Sequence, residues 1–466
     1  MMKKLLLGST ALAVGGLVAA PAMAADPIKM GVGGYYQFYA LAGAIEGTYA
    51  LNGTSVQYNG IQFIQEGEIH FIGQTKLDNG TSIGLRVELE AWNPAAATTI
   101  GGVTNATRQI DEAYLFAFGD WGRVELGGKD DAPYIMYYGT PSALLGFGFV
   151  QHNTSFSWTN PTANANNAAA FHISAMTLDA QYQDVNRINY YTPRFAGLQV
   201  GISYTPKMNI GTGSMWGLQP GPGANTAGVC GFNDATTANG CPTNDNSWFN
   251  AVAIGANYLN KFGVVSVAAY VGYSYAGFTP SNNYTPQTSG LITGANLING
   301  ANLTNWKQFA AGLQFSAYGF TVGGSYIWDN NGLGANYYTG QNNDTNAFSA
   351  GMMYETGPWQ FSVGGTISTN NNGNGIGSVV NCAQGTTSSC SIQQAASSSV
   401  YFGNNTAAGA ARFGTVTASK IEVGANYALG PGIKMMGGAI FNTLSGPSNA
   451  VAGQSWAALL GMDFRF

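Results

Sequence analysis

Between Thr81 and Trp92 the chain alternates, with Ile83, Leu85, Val87 and Leu89 on one face and Ser82, Gly84, Arg86, Glu88 and Glu90 on the other. A period of two is the signature of a β-strand with unlike faces. The last segment repeats it: Trp456, Ala458, Leu460, Met462, Phe464 and Phe466 face one way, Asp463 and Arg465 the other. Ile421, Val423, Ala425, Tyr427 and Leu429 oppose Glu422, Gly424 and Asn426, and Trp359, Phe361, Val363 and Ile367 oppose Gln360, Ser362, Gly364 and Thr366. A soluble sandwich strand alternates too, but its water-facing side carries more Lys and Glu. Small polar residues there suit the wall of a water-filled barrel whose apolar face meets lipid.

The breaks between these runs are of two kinds. Tight-turn signals fall at Asp78-Asn79-Gly80, Gly119 to Gly122, Pro193 to Gly197, Asn260 to Gly263, Ala317 to Gly319, Thr356-Gly357-Pro358 and Leu429 to Gly432. Long polar stretches fall near Gly43 to Gly60, Asn93 to Ala106, Lys129 to Asp184, Lys207 to Ser247, Ala276 to Asn305, Asp329 to Asp344, Asn370 to Gly414 and Ser445 to Gly453. Short and long connections alternate, so the expectation is an all-β, transmembrane antiparallel β-barrel of about 16 strands with short periplasmic turns and long extracellular loops. No fixed-period repeat supports a propeller or solenoid.

Composition agrees. Only 8% of the 466 residues are charged, against roughly 25% in an ordinary soluble domain, while 45% are hydrophobic and 12% aromatic. No apolar run of about 20 residues occurs beyond the extreme N-terminus, so spanning helices are not expected. The formal charge is −5 and no Lys/Arg run follows Lys3-Lys4, which leaves no footprint for nucleic acid.

Residues 1–24 read as a cleaved secretory signal: Lys3 and Lys4, an apolar stretch from Leu5 to Val18, then Ala22-Met23-Ala24. Residues 25–466 are read as one barrel, with a mature charge of about −7 once Lys3 and Lys4 are removed. The four cysteines form two locally spaced pairs, Cys230 with Cys241 and Cys382 with Cys390, and an exported chain favours two loop-closing disulfides. Neither pair has C-x-x-C spacing or a neighbouring histidine, so no metal site is expected. No G-x-S-x-G elbow occurs, and His152 and His172 lie in Asn/Ala/Thr-rich sequence, so no catalytic residue or cofactor is assigned.

The signal segment followed by DPIKMGVGGYYQFYA, the central GDWGRVELGGKDDA, the hairpin NRINYYTPRFAGLQVGISY and the terminal DFRF together resemble Gram-negative general porins, the alphaproteobacterial kind in particular. The resemblance spans essentially the whole mature chain. It implies a homotrimer in the outer membrane, a third loop folded into the lumen, and a C-terminal Phe466 read by the outer-membrane assembly machinery. Phe466 also fits a lipid-facing aromatic belt. The family's third loop corresponds to the segment from Lys129, which makes Asp130 and Asp131 the acidic constriction candidates. A solvated turn pair is the alternative.

The resemblance also implies basic residues on the wall opposite that loop, for which Arg86, Arg108 and Arg123 are the candidates. Alternation puts Arg86 and Glu88 inside, and Arg123 with Glu125 likewise. Arg108 is less fixed, because Asp111 and Glu112 put an acid on both faces of its strand. The segment PYIMYYGTPSALLGFGF is apolar for a pore loop and lacks the acidic motif of many enteric porins. On the second strand Glu66, Glu68, His70, Gln74 and Lys76 share one parity, lining the lumen unless a bulge turns part of the row outward.

The function expected is passive diffusion of small hydrophilic solutes and ions. A substrate-selective channel, or a structural or adhesive barrel, is the alternative. Glu66, Glu68, Glu88, Glu90, Glu125, Asp130 and Asp131 set against Lys76, Arg86, Arg108, Arg123 and Lys129 predict a weak cation preference.

Overall fold

The computed structural model describes residues 27–48, 55–91, 110–145, 185–208, 247–279, 301–330, 332–336, 342, 344–374, 413–445 and 452–466. In chain order the elements are β1 Lys29–Thr48, β2 Ser55–Lys76, β3 Ser82–Glu90, β4 Ile110–Gly119, β5 Gly122–Gly128, the short helix α1 Ala132–Ile135, β6 Asn186–Tyr191, β7 Leu198–Met208, β8 Ser247–Phe262 and β9 Val265–Thr279. There follow β10 Ala301–Leu303, β11 Trp306–Ala317, β12 Phe320–Asp329, β13 Leu333–Asn336, β14 Thr345–Thr356, β15 Trp359–Asn374, β16 Phe413–Gly430, β17 Ile433–Ser445 and β18 Ala452–Arg465.

Every strand except β10 and β13 joins one closed antiparallel barrel of sixteen, each paired with its neighbours in sequence, and β18 closes on β1. Backbone bonds from Gly34 N to Phe466 O (2.9 Å) and from Phe466 N to Gly34 O (3.1 Å) tie the last residue into the seam. Closure leaves no unpaired edge, the condition for strands to cross a bilayer. Strands β10 and β13 pair separately as a two-stranded sheet.

All seven tight turns are where the sequence puts them, with Gly357 (φ 55°) and Gly432 (φ 74°) in the left-handed region that favours glycine. The first long connection is shorter than its sequence suggests. The hairpin β1–β2 stays in register out to Thr48↔Ser55, so most of Gly43 to Gly60 is strand. Its polar and glycine residues alternate along a ladder, which reads as loop by composition alone.

The faces sort as the alternation requires. Leu85, Leu115, Val322, Phe348, Ile421 and Leu460 are exposed on the outer face, which suits a lipid-facing wall. Asn189, Ser203, Asn257, Ser349, Thr366 and Asn426 are buried on the inner one. Among the described residues no helix is long and apolar enough to cross a membrane, and the crossing elements are the strands.

One irregularity bears on the lumen. Val87 pairs with Ala113 but Leu89 pairs with Ile110, so Asp111 and Glu112 together stand opposite Glu88. This bulge resolves how two consecutive acids fit one strand: the extra residue puts both opposite a single partner residue.

Candidate functional site

The interior of the barrel is built from two things, a loop threaded along its wall and a set of charged side chains facing that loop. The loop leaves β5 at Gly128. Lys129 Nζ reaches both oxygens of Glu112, at 2.7 and 2.6 Å, and the Asp130 amide donates to Glu112 Oε1 at 3.2 Å. Burial alone would lower the Lys129 pKa, but the Glu112 carboxylate holds it well above the ordinary lysine value. Asp131 then caps α1, accepting from the Tyr134 amide at 2.9 Å, and Pro133 stands in the first turn where its missing N–H costs nothing.

From α1 the chain runs past successive strands, several of which offer a polar side chain to its backbone. Ala132 N donates to Ser203 Oγ (2.7 Å), and Asn257 Nδ2 donates to Met136 O (3.0 Å). Gln314 Nε2 donates to Gly139 O (2.5 Å), Ala143 N to Ser362 Oγ (2.8 Å), and Asn426 Nδ2 to Ala143 O (2.9 Å). Thr140 bonds Ser349 at 2.5 Å, Ser142 bonds Glu422, and Tyr39 bonds the Leu145 carbonyl. The small polar face read from the sequence as bare channel wall is thus, over residues 132–145, a docking track. Its glycines admit the loop: a Cβ on Gly312 would lie 1.8 Å from Tyr138 O, and one on Gly424 2.4 Å from Leu144 Cγ.

The apolar character of the loop finds its reason here. Met136 and Ala132 pack with Tyr191, Tyr270 and Ile327, and Leu144 with Tyr39, Leu41, Ile64, Met436 and Ile440. Tyr137 stacks obliquely on Tyr270 with ring centroids 5.2 Å apart, and burial pushes the Tyr137 hydroxyl pKa up.

The charged set lies on β1 to β6. Register places Glu68 opposite Glu90, His70 opposite Glu88, Ile72 opposite Arg86, and Arg86 opposite Tyr114, all on the inner face. Glu66 pairs with Gln37, and Lys76 with Ser82, in the same parity. His70 Nε2 lies 2.7 Å from Glu68 Oε2, Arg86 Nη2 2.9 Å from His70 Nδ1, and Arg86 Nε 2.5 Å from Glu88 Oε1. Arg123 bonds the neighbouring Glu125, both buried, and Asn189 Nδ2 links Glu125 Oε2 (3.1 Å) to the Asp130 carbonyl (2.8 Å).

Of the residues singled out by sequence, Arg86, Glu88, Arg123, Glu125, Asp130 and Asp131 are brought to this wall and its loop. Asp131 is 4% exposed and directs a carboxylate oxygen at the α1 backbone. Arg108, the expected signal segment and all four cysteines lie outside the described residues.

Alternation put Glu422, Asp463 and Arg465 on the polar face without naming them as site residues; the structure forms the buried pair Lys420–Glu422 (3.0 Å) and the pair Arg465–Asp463 (2.9 Å) with Gln37 on Asp463 (2.8 Å), and it adds buried Arg187. Alternation could have found Arg187, which shares parity with Asn189 and Tyr191 against Ile188 and Tyr190.

The Gram-negative porin family model matches residues 8–318. The chain belongs to the Gram-negative porin family and is a diffusion channel of the outer membrane. Among solved structures it is similar to the outer membrane channel DcaP of Acinetobacter baumannii (10% identity, 94% of this chain and 98% of that one, TM-score 0.51). It is also similar to the anion-selective porin from Comamonas acidovorans (15% identity, 94% and 100%, TM-score 0.48), and to a loop L8 deletion variant of OmpT of Vibrio cholerae (11% identity, 95% and 100%, TM-score 0.46). The DcaP likeness supports the barrel fold. Among curated proteins none matches.

Proposed function

We propose that the channel is a homotrimeric general porin with a weak cation preference, working without catalysis or a cofactor. One observation carries the sign of the preference: the inner face of β2 to β5 presents Glu66, Glu68, Glu88, Glu90, Glu112 and Glu125 against Lys76, Arg86 and Arg123, with Lys129 the cation at the loop root. Loop charges farther off than about 8–10 Å are screened at physiological salt, so this near wall dominates the field a permeating ion meets. Passive flow follows from a lumen whose loop is fastened along its wall.

The trimer is supported by the family membership. The test is the reversal potential of purified protein in a planar bilayer under a tenfold KCl gradient. The wild type should favour K⁺, and Glu66→Gln with Glu90→Gln should shift the potential toward Cl⁻. An anion-preferring wild type, or an unmoved potential in the double variant, overturns the proposal.

A further inference from the structure

We propose that Glu68, His70 and Glu88 form a binding site for a divalent transition metal on the lumen wall. Each offers one donor atom, and the three lie within 4.8 Å of one another. His70 Nε2 is 2.7 Å from Glu68 Oε2 and 3.7 Å from Glu88 Oε2. The cross-strand pair His70↔Glu88 and the same-face spacing of Glu68 from His70 fix this convergence in the ladder itself, so it is held by rigid elements.

The far oxygen of each carboxylate faces a group outside the cluster. Tyr35 donates its hydroxyl to Glu68 Oε1 at 2.9 Å, and Arg86 Nε contacts Glu88 Oε1 at 2.5 Å. Such outer contacts orient carboxylates toward a metal and leave the inner oxygens to ligate it. The Glu88 side chain is 7% exposed, and its Oε1 gains no aligned hydrogen bond despite the Arg86 charge. A buried carboxylate left short of hydrogen bonds is stabilised by a cation at its other oxygen. Glu68 and His70, at 14% and 15% exposure, keep the site open to lumen water for the remaining positions.

One nitrogen and two carboxylates suit Zn²⁺ or Cu²⁺ better than Ca²⁺ or Mg²⁺, which prefer all-oxygen sets. Metal–ligand distances of about 2.0–2.2 Å place tetrahedral donors about 3.3–3.6 Å apart, so His70 and Glu68, now 2.7 Å apart, must separate as the ion enters while Glu88, at 3.7 Å from His70, moves little. The ring must change tautomer. Arginine can only donate, so Nδ1 accepts from Arg86 and the ring proton sits on Nε2, pointing at Glu68. On binding, that proton moves to Nδ1, Nε2 takes the metal, and the Arg86 Nη2 group turns away while its Nε stays on Glu88. Occupancy adds positive charge to the acidic wall and weakens the cation preference.

The test is calorimetric titration of the detergent-purified full chain with Zn²⁺, together with Cu²⁺ electron paramagnetic resonance. One Zn²⁺ per chain and hyperfine structure from one nitrogen are expected. His70→Gln and Glu68→Gln should each weaken binding at least tenfold. Tyr35→Phe, which removes only an orienting contact, should weaken it about tenfold. Arg86→Gln should bind at least as tightly as wild type, because glutamine can accept the Nδ1 proton that arginine opposes. Retention of the barrel in each variant is read from its heat-modifiable mobility. No saturable Zn²⁺ binding by the wild type, or unchanged affinity in folded His70→Gln, overturns the proposal, as does tenfold weaker binding in Arg86→Gln.

Discussion

Replacing Leu144 with alanine removes the apolar side chain that fastens the described end of the inward loop. Leu144 is 1% exposed and packs among Tyr39, Leu41, Ile64, Met436 and Ile440, over a floor made by Gly424 and Gly438. Truncating a buried leucine costs about 2–5 kcal/mol, more where the surroundings cannot collapse into the space. Here the floor is a hydrogen-bonded strand ladder that cannot close in, so about 3–5 kcal/mol is expected. The barrel strands pair without the loop, so this loss falls on docking of the loop.

At about 1.4 kcal/mol per decade, the undocked fraction should rise roughly a hundredfold to several thousandfold. Hydrogen exchange read by mass spectrometry on peptides covering 139–145 measures that fraction directly, since the Ala143 amide is bonded to Ser362. Protection there should fall by this factor while β14 to β17 keep theirs. Equal protection in wild type and Leu144→Ala would refute the reasoning, because the side chain would then be holding nothing.

Two further outcomes follow from the same wall. Gly312→Ala puts a Cβ where the Tyr138 carbonyl lies, 1.8 Å away, and should change single-channel conductance. Gly437→Ala, whose nearest neighbour would be at an ordinary 3.5 Å, should leave it unchanged. The Lys129–Glu112 anchor contributes fully below the ordinary lysine value of 10.5 and is lost only as pH rises through the higher folded value. Exchange protection of residues 129–136 should therefore be flat from pH 7 to 10, after correction for intrinsic rates. Glu112→Gln should abolish that plateau.

The strands and turns were legible because each is written locally: alternation from Ile421 to Leu429, or Thr356-Gly357-Pro358 between two apolar runs, needs no knowledge of the rest. The loop's path was not, because Ser203, Gln314 and Asn426 meet it only after the barrel closes, from 71 to 283 residues away in sequence. Its apolar residues looked out of place in a pore until the wall they dock on, Tyr39 and Ile440 included, was in view. The consecutive acids Asp111 and Glu112 needed the bulge, which one strand's pattern cannot reveal. The lumen row with His70 was visible, but its partner Glu88 belongs to the next strand and depends on register. The short elements α1, β10 and β13 carry too few residues for any period.

A diffusion channel of this build requires an open, water-filled lumen that the loop narrows without sealing. Single-channel current through purified protein in a planar bilayer, recorded across a hundredfold range of KCl, tests it most directly. Discrete, ohmic steps are expected, with conductance that grows in proportion to salt. Absence of steps, or conductance that saturates at low salt as for a tight single-solute site, would contradict it.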